Sequence, residues 1–112
     1  MTPDGRKIAY IIGAISSDPN YEAKFADAAT VLMNLGFAVL YPTLIPPYLT
    51  YEGHMRCDFV FVDECDVLVP LPDWVDSPGA NEEMSRAIEQ KKEVVFYKNI
   101  LTYAHERGMI PV

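Results

Sequence analysis

Short apolar runs alternate with amphipathic stretches along almost the whole chain. The runs that predict strands cover residues 7–13, 37–42, 66–72 and 93–97. The stretches with helical periodicity between them cover residues 18–36, 50–65 and 77–92. Such alternation with short connections predicts parallel strands joined by right-handed crossover helices. We therefore expect an α/β fold: a small open parallel sheet of four or five strands with helices on both faces, Rossmann-like or flavodoxin-like.

Proline, glycine and capping residues set the expected ends of these elements. In the first helix, Asp18 is the expected N-cap, Pro19 takes the first position and Gly36 ends the helix. The two adjacent prolines of "TLIPPYL" (43–49) predict a stiff loop without regular pairing. The "FVFV" within the second helix is also compatible with a strand. The tail, residues 99–112, predicts a short helix followed by an extended end.

Length, composition and charge limit the possible functions. The 112 residues, half of them hydrophobic, predict one domain over residues 1–112 with a single core. The formal charge of −7 argues against binding to the backbone of long nucleic acid but leaves a small nucleotide possible. No apolar run is long enough for a membrane span, and the N-terminus has no signal-peptide core. We therefore expect a cytoplasmic protein.

The cysteines and histidines give no support for a metal site. Cys57 and Cys65 lie eight residues apart on one predicted helix, and no second cysteine pair completes a zinc site. Two buried, reduced thiols are the better interpretation. Because His54 and His105 have no metal-ligand spacing, we expect neither a metal nor another cofactor.

The predicted sheet places two loops at one edge. In open parallel sheets the ligand crevice lies beyond the carboxyl ends of the strands, so the loops 13–18 and 71–78 should border it. In the second loop, Ser77 is the expected N-cap of the third helix, Pro78 fits its first position, and Gly79 leaves the backbone approachable. Such a helix start attracts anions, which suits a phosphate or a ribose. The pattern therefore predicts a small-molecule crevice.

Helical geometry separates the two adjacent glutamates of "SPGANEEMSRA". The predicted inward stripe of the third helix is Ala80, Met84, Ala87, Ile88 and the stem of Lys91. Glu83 lies at the margin of this stripe, whereas Glu82 points into solvent. Glu83 is therefore the carboxylate expected near the crevice. An acidic first turn is also what the helix dipole alone would favour.

The second helix carries a similarly placed acid. Its predicted inward stripe is Tyr51, Met55, Phe59 and Val62. Asp58 lies at the edge of that stripe, so that it could share a site with Glu83. Pairing of Asp58 with Arg56 or Lys91 is an equally compatible interpretation.

Three motifs in order resemble the nucleoside 2-deoxyribosyltransferase superfamily, especially its short members, over residues 7–97. The first is Tyr10 with Gly13 in "AYIIGAIS", similar to the family's opening strand and turn. The second is Asp58 followed by Asp66 in "RCDFVFVDECD", and the third is the helix opening "SPGANEEMSRA", similar to the family's G-x-x-x-E-x-x-x-A. The resemblance also extends to the 2′-deoxynucleoside 5′-phosphate N-hydrolases.

The resemblance implies a reaction and roles for three residues. Members of this family split the N-glycosidic bond of a nucleoside or nucleotide, by hydrolysis or base exchange. By resemblance Glu83 is the nucleophile that attacks the anomeric carbon, Asp58 is the acid near the nucleobase, and Tyr10 orients the glutamate. Two carboxylates and an oxocarbenium-like transition state are also the chemistry of retaining glycosidases. We expect the helix start and the tyrosine hydroxyl to keep Glu83 ionised.

Further residues are expected to bind the substrate. The transferases that act on free nucleosides often carry an acid six residues before the glutamate, where this chain has Ser77, as the nucleotide N-hydrolases do. Ser77 would not repel a 5′-phosphate, and Ser16 and Ser17 could donate hydrogen bonds to the same group or serve only the turn. Trp74 could stack on a base or simply pack. Gly13 and Gly79 complete the predicted substrate-binding set.

Partners and alternative functions remain open in the sequence. Val60 and Phe61 fall off the inward stripe of the second helix, which favours a homodimer or higher homo-oligomer, unless that helix is buried on more than one side. Besides an enzyme acting on a small nucleoside or nucleotide, two hypotheses fit. The chain could be a non-catalytic nucleotide-binding sensor, or an interaction protein whose acids only cap and solvate helices.

Overall fold

A computed structural model describes residues 1–109 and contains a four-stranded, all-parallel sheet in the order β2-β1-β3-β4. The strands are β1 (Ile8–Ile12), β2 (Ala38–Leu40), β3 (Val67–Pro70) and β4 (Glu93–Val94). The predicted α/β class and the open parallel sheet are confirmed. Because the chain passes from β1 to β2 on one side and then returns to β3 on the other, the strand order reverses between β1 and β3.

Four α-helices cover the sheet within the described residues. They are α1 (Tyr21–Asn34), α2 (Tyr51–Glu64), α3 (Pro78–Glu89) and α4 (Ile100–Glu106). The "FVFV" segment is helical, and α4 is the short helix predicted for the tail. Residues 110–112 of the predicted extended end lie outside the described residues.

Alternate residues of β1 point to opposite faces of the sheet and separate two apolar clusters. Ala9 and Ile11 pack with α1 and α4, where Phe25 and Leu32 are fully buried. Tyr10 and the other β1 residues of the same parity pack with α2 and α3. One strand therefore carries the core of one face and, through Tyr10, a polar group into the other.

The first helix begins later than the sequence predicted. Asp18 does not cap it: the Asp18 carboxylate accepts a hydrogen bond from the Asn20 N–H at 2.8 Å, and the helix starts at Tyr21. The reason is a turn in which the Asp18 N–H donates to the Ile15 carbonyl, which leaves Asp18 in the loop. The predicted end at Gly36 is confirmed by its φ of +100°.

The inward stripes of α2 and α3 are rotated relative to the prediction. The buried residues of α2 are Met55, Asp58 and Val62, whereas Tyr51 is 61% exposed. Ile88 of α3, predicted to be inward, is likewise 61% exposed. The stripe of α2 therefore runs through Asp58 rather than beside it.

The two apolar residues assigned to an oligomer surface lie in different environments. Val60 is 54% exposed, but Phe61 is half-buried and packs edge-on against Tyr10, with ring centroids 5.4 Å apart. The interpretation that Phe61 is bare was wrong, because α2 contacts the sheet along a wider band than one stripe. Homo-oligomerisation remains a prediction based on Val60.

Asp66, which directly precedes β3, has a structural role. The Asp66 carboxylate accepts a hydrogen bond from the Ile8 N–H at 2.8 Å, which ties the starts of β3 and β1 together.

Cys65, just after α2, is buried, and burial raises the pKa of its thiol to about 11. Cys57 is only half-buried, and both cysteines are free thiols.

None of the helices described here has the length and apolar character needed to cross a membrane.

Candidate active site

A cavity of about 380 Å³ lies beyond the carboxyl ends of β1 and β3, where the strand order reverses. This is the position expected for a ligand crevice in such a sheet. Six residues predicted from the sequence line it: Gly13, Ser16, Asp58, Ser77, Gly79 and Glu83. The lining also includes the exposed side chain of Tyr51, so that solvent reaches the cavity.

Tyr10 lies in the sheet next to the two acids. It is fully buried, and its hydroxyl donates a hydrogen bond to Asp58 Oδ1 at 3.0 Å. Burial, followed by the nearby charges of Glu83 and Asp58, raises the pKa of the Tyr10 phenol well above its usual value. Tyr10 therefore stays protonated near neutral pH and donates to Asp58.

Asp58 has a partner on each carboxylate oxygen. Oδ1 accepts from Tyr10, and Oδ2 lies 3.1 Å from Nδ1 of His54, one turn earlier on α2. Burial raises the pKa of Asp58, while the charge and hydrogen bond of His54 and the hydrogen bond of Tyr10 oppose that rise. The partners of Asp58 are thus neither Arg56 nor Lys91.

Glu83 is buried with one oxygen lacking a partner. The residue is 4% exposed, and its Oε2 forms no hydrogen bond with any of the described residues. Burial, the Asp58 charge and, more weakly, the Glu82 charge raise the pKa of Glu83 well above its usual value, against the lowering effect of Tyr10. A buried polar atom without a partner is costly and is often retained for a functional reason.

The start of α3 does not lower the pKa of Glu83, contrary to the expectation from the sequence. Pro78 has no N–H, the Ala80 N–H donates to Ser77 Oγ at 3.1 Å, and the Asn81 N–H donates to the Ser77 carbonyl. These donors are therefore occupied by the cap itself, and burial determines the direction of the Glu83 pKa.

Ser77 and Gly79 combine a structural position with access to the cavity. Ser77 is the N-cap of α3, as predicted, and it also lines the cavity. A Cβ atom on Gly79 would lie 3.3 Å from the Met55 sulfur, so that α2 and α3 approach closely at this point. A larger residue at this position would narrow the cavity between the helices.

The structure separates the two predicted serines of the first loop. Ser16 and Ser17 are the central residues of the turn from Ile15 to Asp18, and both are exposed. Ser16 lines the cavity, but Ser17 is not among its lining residues. A turn directs its two central side chains differently, which explains why only one of them reaches the cavity.

Trp74 is not brought to the cavity either. It begins a short 3₁₀ turn, Trp74–Asp76, and its half-buried ring packs on the α2–α3 side of the core. It lines a separate cleft together with Pro70, Pro72, Phe96, Tyr97 and Lys98. Packing, the alternative interpretation of Trp74, is the one that the structure supports.

His54, which the sequence suggested only as a possible metal ligand, also belongs to the lining of the cavity. It contacts Asp58 at 3.1 Å. The available signal was the spacing of four residues on one helix, which brings the two side chains together. Within residues 1–109, no group of three His, Cys, Asp or Glu side chains is arranged to hold a metal ion.

Comparison with known families identifies the chain by its sequence. Residues 7–96 match the family described as "Domain of unknown function (DUF4406)". The chain belongs to this family. A search of curated protein sequences gives no match.

Two solved structures share the fold. The DUF4406 chain is similar to a 2-desoxiribosyltransferase from Leishmania mexicana, with a TM-score of 0.67 and 18% identity over 80% of this chain and 63% of the other. It is also similar to the CMP N-glycosidase BcmB from Clostridium botulinum, with a TM-score of 0.62 and 19% identity over 80% of this chain and 70% of the other. The chain thus spans under two thirds of the Leishmania protein. The predicted resemblance to the nucleoside 2-deoxyribosyltransferase superfamily is confirmed in the fold.

Proposed function

We propose that this DUF4406 protein cleaves the N-glycosidic bond of a nucleoside or nucleoside 5′-monophosphate. The observation that carries the proposal is the buried Glu83 carboxyl group, with an unpartnered oxygen, in the wall of a cavity that also contains Asp58. A deoxyribosyltransferase and a CMP N-glycosidase with the same fold support this kind of reaction. The cavity volume of about 380 Å³ also suits a small ligand.

In the first step, an oxygen of ionised Glu83 attacks the anomeric carbon. The bond from that carbon to the base nitrogen breaks, and its electron pair leaves with the base. Asp58, which holds a proton at this stage, donates it to the base, so that a neutral base departs. The sugar remains attached to Glu83 as an ester, as in retaining glycosidases.

In the second step, water or a second base attacks the same carbon from the side that the first base has left. Asp58, now ionised, accepts the proton that the attacking molecule loses. The ester bond breaks and its electron pair returns to Glu83 as a carboxylate. Water gives the free sugar or sugar phosphate, and a second base gives a new nucleoside or nucleotide.

The reaction requires that the two carboxyl groups together hold one proton, and their surroundings favour that state. Burial raises the pKa of both Glu83 and Asp58, and each negative charge makes ionisation of the other more costly. Tyr10 and His54 stabilise a charge on Asp58, whereas attack requires the charge on Glu83. A bound base that accepts a hydrogen bond from Asp58 would shift the proton to Asp58 and the charge to Glu83.

The remaining lining residues are suited to hold the sugar. Ser77 and Ser16 provide hydroxyl groups on two sides of the cavity, and Gly79 allows close approach to the start of α3. These groups can bind a 5′-hydroxyl or a 5′-phosphate, and both substrate classes belong in the test.

The experiment is a chromatographic search for free base after incubation with nucleosides and their 5′-monophosphates, including CMP, with and without a second base. We expect at least one substrate to release base, and Glu83→Gln to reduce the rate about 10³-fold or more. Glu82→Gln is the matched control, because Glu82 is the exposed neighbour on the same helix and should leave the rate unchanged. Equal rates in Glu83→Gln and the unmodified protein would contradict the proposal.

A second candidate is a nucleotide-binding protein without turnover. The raised pKa of Glu83 favours it, because a protonated glutamate is not a nucleophile. Thermal shifts with the same panel distinguish the two functions. Stabilisation by a nucleotide with no base release at high protein concentration would support the binding protein.

A further inference from the structure

Outside the cavity, Lys24 of α1 joins the two loops that form the cavity's edge. Its ammonium group donates to Asp73 Oδ2 and to the Ala14 carbonyl, both at 2.6 Å, and lies 3.0 Å from Asp18 Oδ2. The other oxygen of Asp73 accepts a hydrogen bond from the Ala14 N–H at 3.1 Å. Asp73 and Lys24 together therefore hold both backbone polar groups of Ala14.

Both connected segments contribute residues to the lining of the cavity. Gly13 and Ser16, which flank Ala14 and its loop, line one side, and Ser77, four residues after Asp73, lines another. The cavity does not include Lys24, Asp73 or Ala14 themselves among its lining residues. The contact thus lies outside the lining and links the two segments that contribute to it.

We propose that Lys24 and Asp73 are a positioning pair that holds the loop after β1 against the loop after β3 and so fixes the sugar-binding width of the cavity. The inference rests on the proposed function for its kinetic consequence, but its structural consequence is independent of any activity. Neither residue is a catalytic residue, because neither reaches the cavity.

The contact is tight and only partly solvated, as a positioning role requires. The side chains of Lys24 and Asp73 are 22% and 30% exposed, so that water screens the pair less than it does an exposed one. A Cβ atom on Gly13 would lie only 3.1 Å from Asp73 Oδ1, so that the two loops approach closely at this point.

The neighbouring carboxylates favour the charged form of Lys24. Partial burial alone would lower the pKa of Lys24, but its hydrogen bonds and charge interactions with Asp73 and Asp18 raise it above the usual value. The hydrogen bond from the Asn20 N–H, together with that from Lys24, lowers the pKa of Asp18. Lys24 therefore keeps its charge to a higher pH than a free lysine would.

The first test is hydrogen–deuterium exchange of the ligand-free protein. Lys24→Met keeps most of the side-chain length but removes the ammonium group, so we expect the amide of Ala14 and its loop to exchange about tenfold faster or more. Lys24→Arg, which retains a donor and a charge, should restore slow exchange. Unchanged exchange in Lys24→Met would overturn the proposal whether or not the protein has activity.

Lys92→Met is the matched control. The Lys92 ammonium also bonds two carbonyl oxygens, of Asp63 and Cys65 at 2.7 and 2.9 Å, but it lies just before β4, at the edge of the sheet away from the cavity. Its loss should not change exchange in the loop after β1. An equal increase there in both variants would mean general destabilisation and would also overturn the proposal.

The second test measures base release with whichever nucleoside or nucleotide of the panel is turned over fastest. Lys24→Met should lower kcat/KM about 10- to 100-fold, with most of the change in KM, because the sugar is held in a looser cavity. Lys24→Arg should recover most of it and Lys92→Met should lose none. A normal KM in a folded Lys24→Met protein with a loosened loop would contradict the positioning role, whereas inactivity of the unmodified protein would contradict only the proposed function.

Discussion

Asp18 and Asp73, in the loops outside the cavity, differ from Asp58 and Glu83, in its wall, in what balances their charge. The first two share the ammonium group of Lys24 within 3.0 Å. Asp58 contacts a tyrosine hydroxyl and a histidine instead, and one oxygen of Glu83 has no partner among the described residues. The hydrogen bonds at Asp18 lower its pKa, whereas burial raises the pKa of Asp58 and Glu83.

The difference separates two uses of acidic residues in one small protein. A carboxylate matched by a nearby cation holds structure and stays ionised. A carboxyl group buried without a cation is destabilising when ionised, and such groups are concentrated at functional sites. The contrast therefore points to Asp58 and Glu83 for chemistry and to Asp73 for support.

Apart from Glu83→Gln, the largest effect on the rate is expected from Asp58→Asn. Loss of the group that donates the proton should slow base release by about 10²- to 10⁴-fold. The rate of the unmodified protein should be bell-shaped in pH, because activity needs one proton on the pair, and the alkaline limb should disappear in Asp58→Asn. The measurement is the initial rate of base release against pH. If Asp58→Asn kept the pH profile of the unmodified protein, Asp58 would not be the proton donor. The contrast between the two pairs of acids would then fail.

Lys24→Met should destabilise the fold, because it leaves Asp18 and Asp73 without their cation. We expect a loss of about 1–3 kcal/mol in the free energy of unfolding at pH 7. Chemical denaturation of the variant and of Lys24→Arg gives the comparison. No loss of stability would mean that water satisfies Asp73 as well as Lys24 does.

Glu83→Gln should instead stabilise the fold at neutral pH. Because the pKa of folded Glu83 lies above the unfolded value near 4.5, its stabilising contribution is present below that pH and is lost as pH rises through the folded value. The free energy of unfolding of the variant should therefore rise relative to that of the unmodified protein as pH increases. The difference should be about 1–2 kcal/mol near neutrality. Thermal unfolding at several pH values measures the difference, with Glu82→Gln as control. A difference independent of pH would contradict the raised pKa.

The smallest effect is expected at Trp74. Because its ring lies in a cleft separate from the cavity, Trp74→Phe should change kcat/KM less than about twofold. Kinetics with the panel substrate provide the measurement. A large rise in KM would mean that the ring contacts the base after all and that the cavity extends beyond its described walls.

The sequence predicted the parts of the site that depend on local geometry. The periodicity of α3 was enough to distinguish Glu83 from Glu82, and Ser77 followed from capping chemistry. The alternation of elements predicted the parallel sheet but not the order of its strands. For Glu83 and Ser77 the prediction needed only the spacing of residues along one element.

The parts that sequence could not predict depend on contacts between distant segments. Lys24 and Asp73 are 49 positions apart, and nothing in either segment indicates their contact. Trp74 lies in a loop, where no periodicity fixes the direction of a side chain. The burial that raises the pKa of Glu83 is likewise a property of the packed helices and not of the helix start itself.

The central claim, that Glu83 attacks the sugar, is tested most directly by mass spectrometry of acid-quenched reactions with the fastest panel substrate. We predict that the peptide containing Glu83 gains the mass of the glycosyl group during turnover, and that Glu82→Gln shows the same adduct. Base released under single-turnover conditions with no adduct at any quench time, or with an adduct on another residue, would contradict the account.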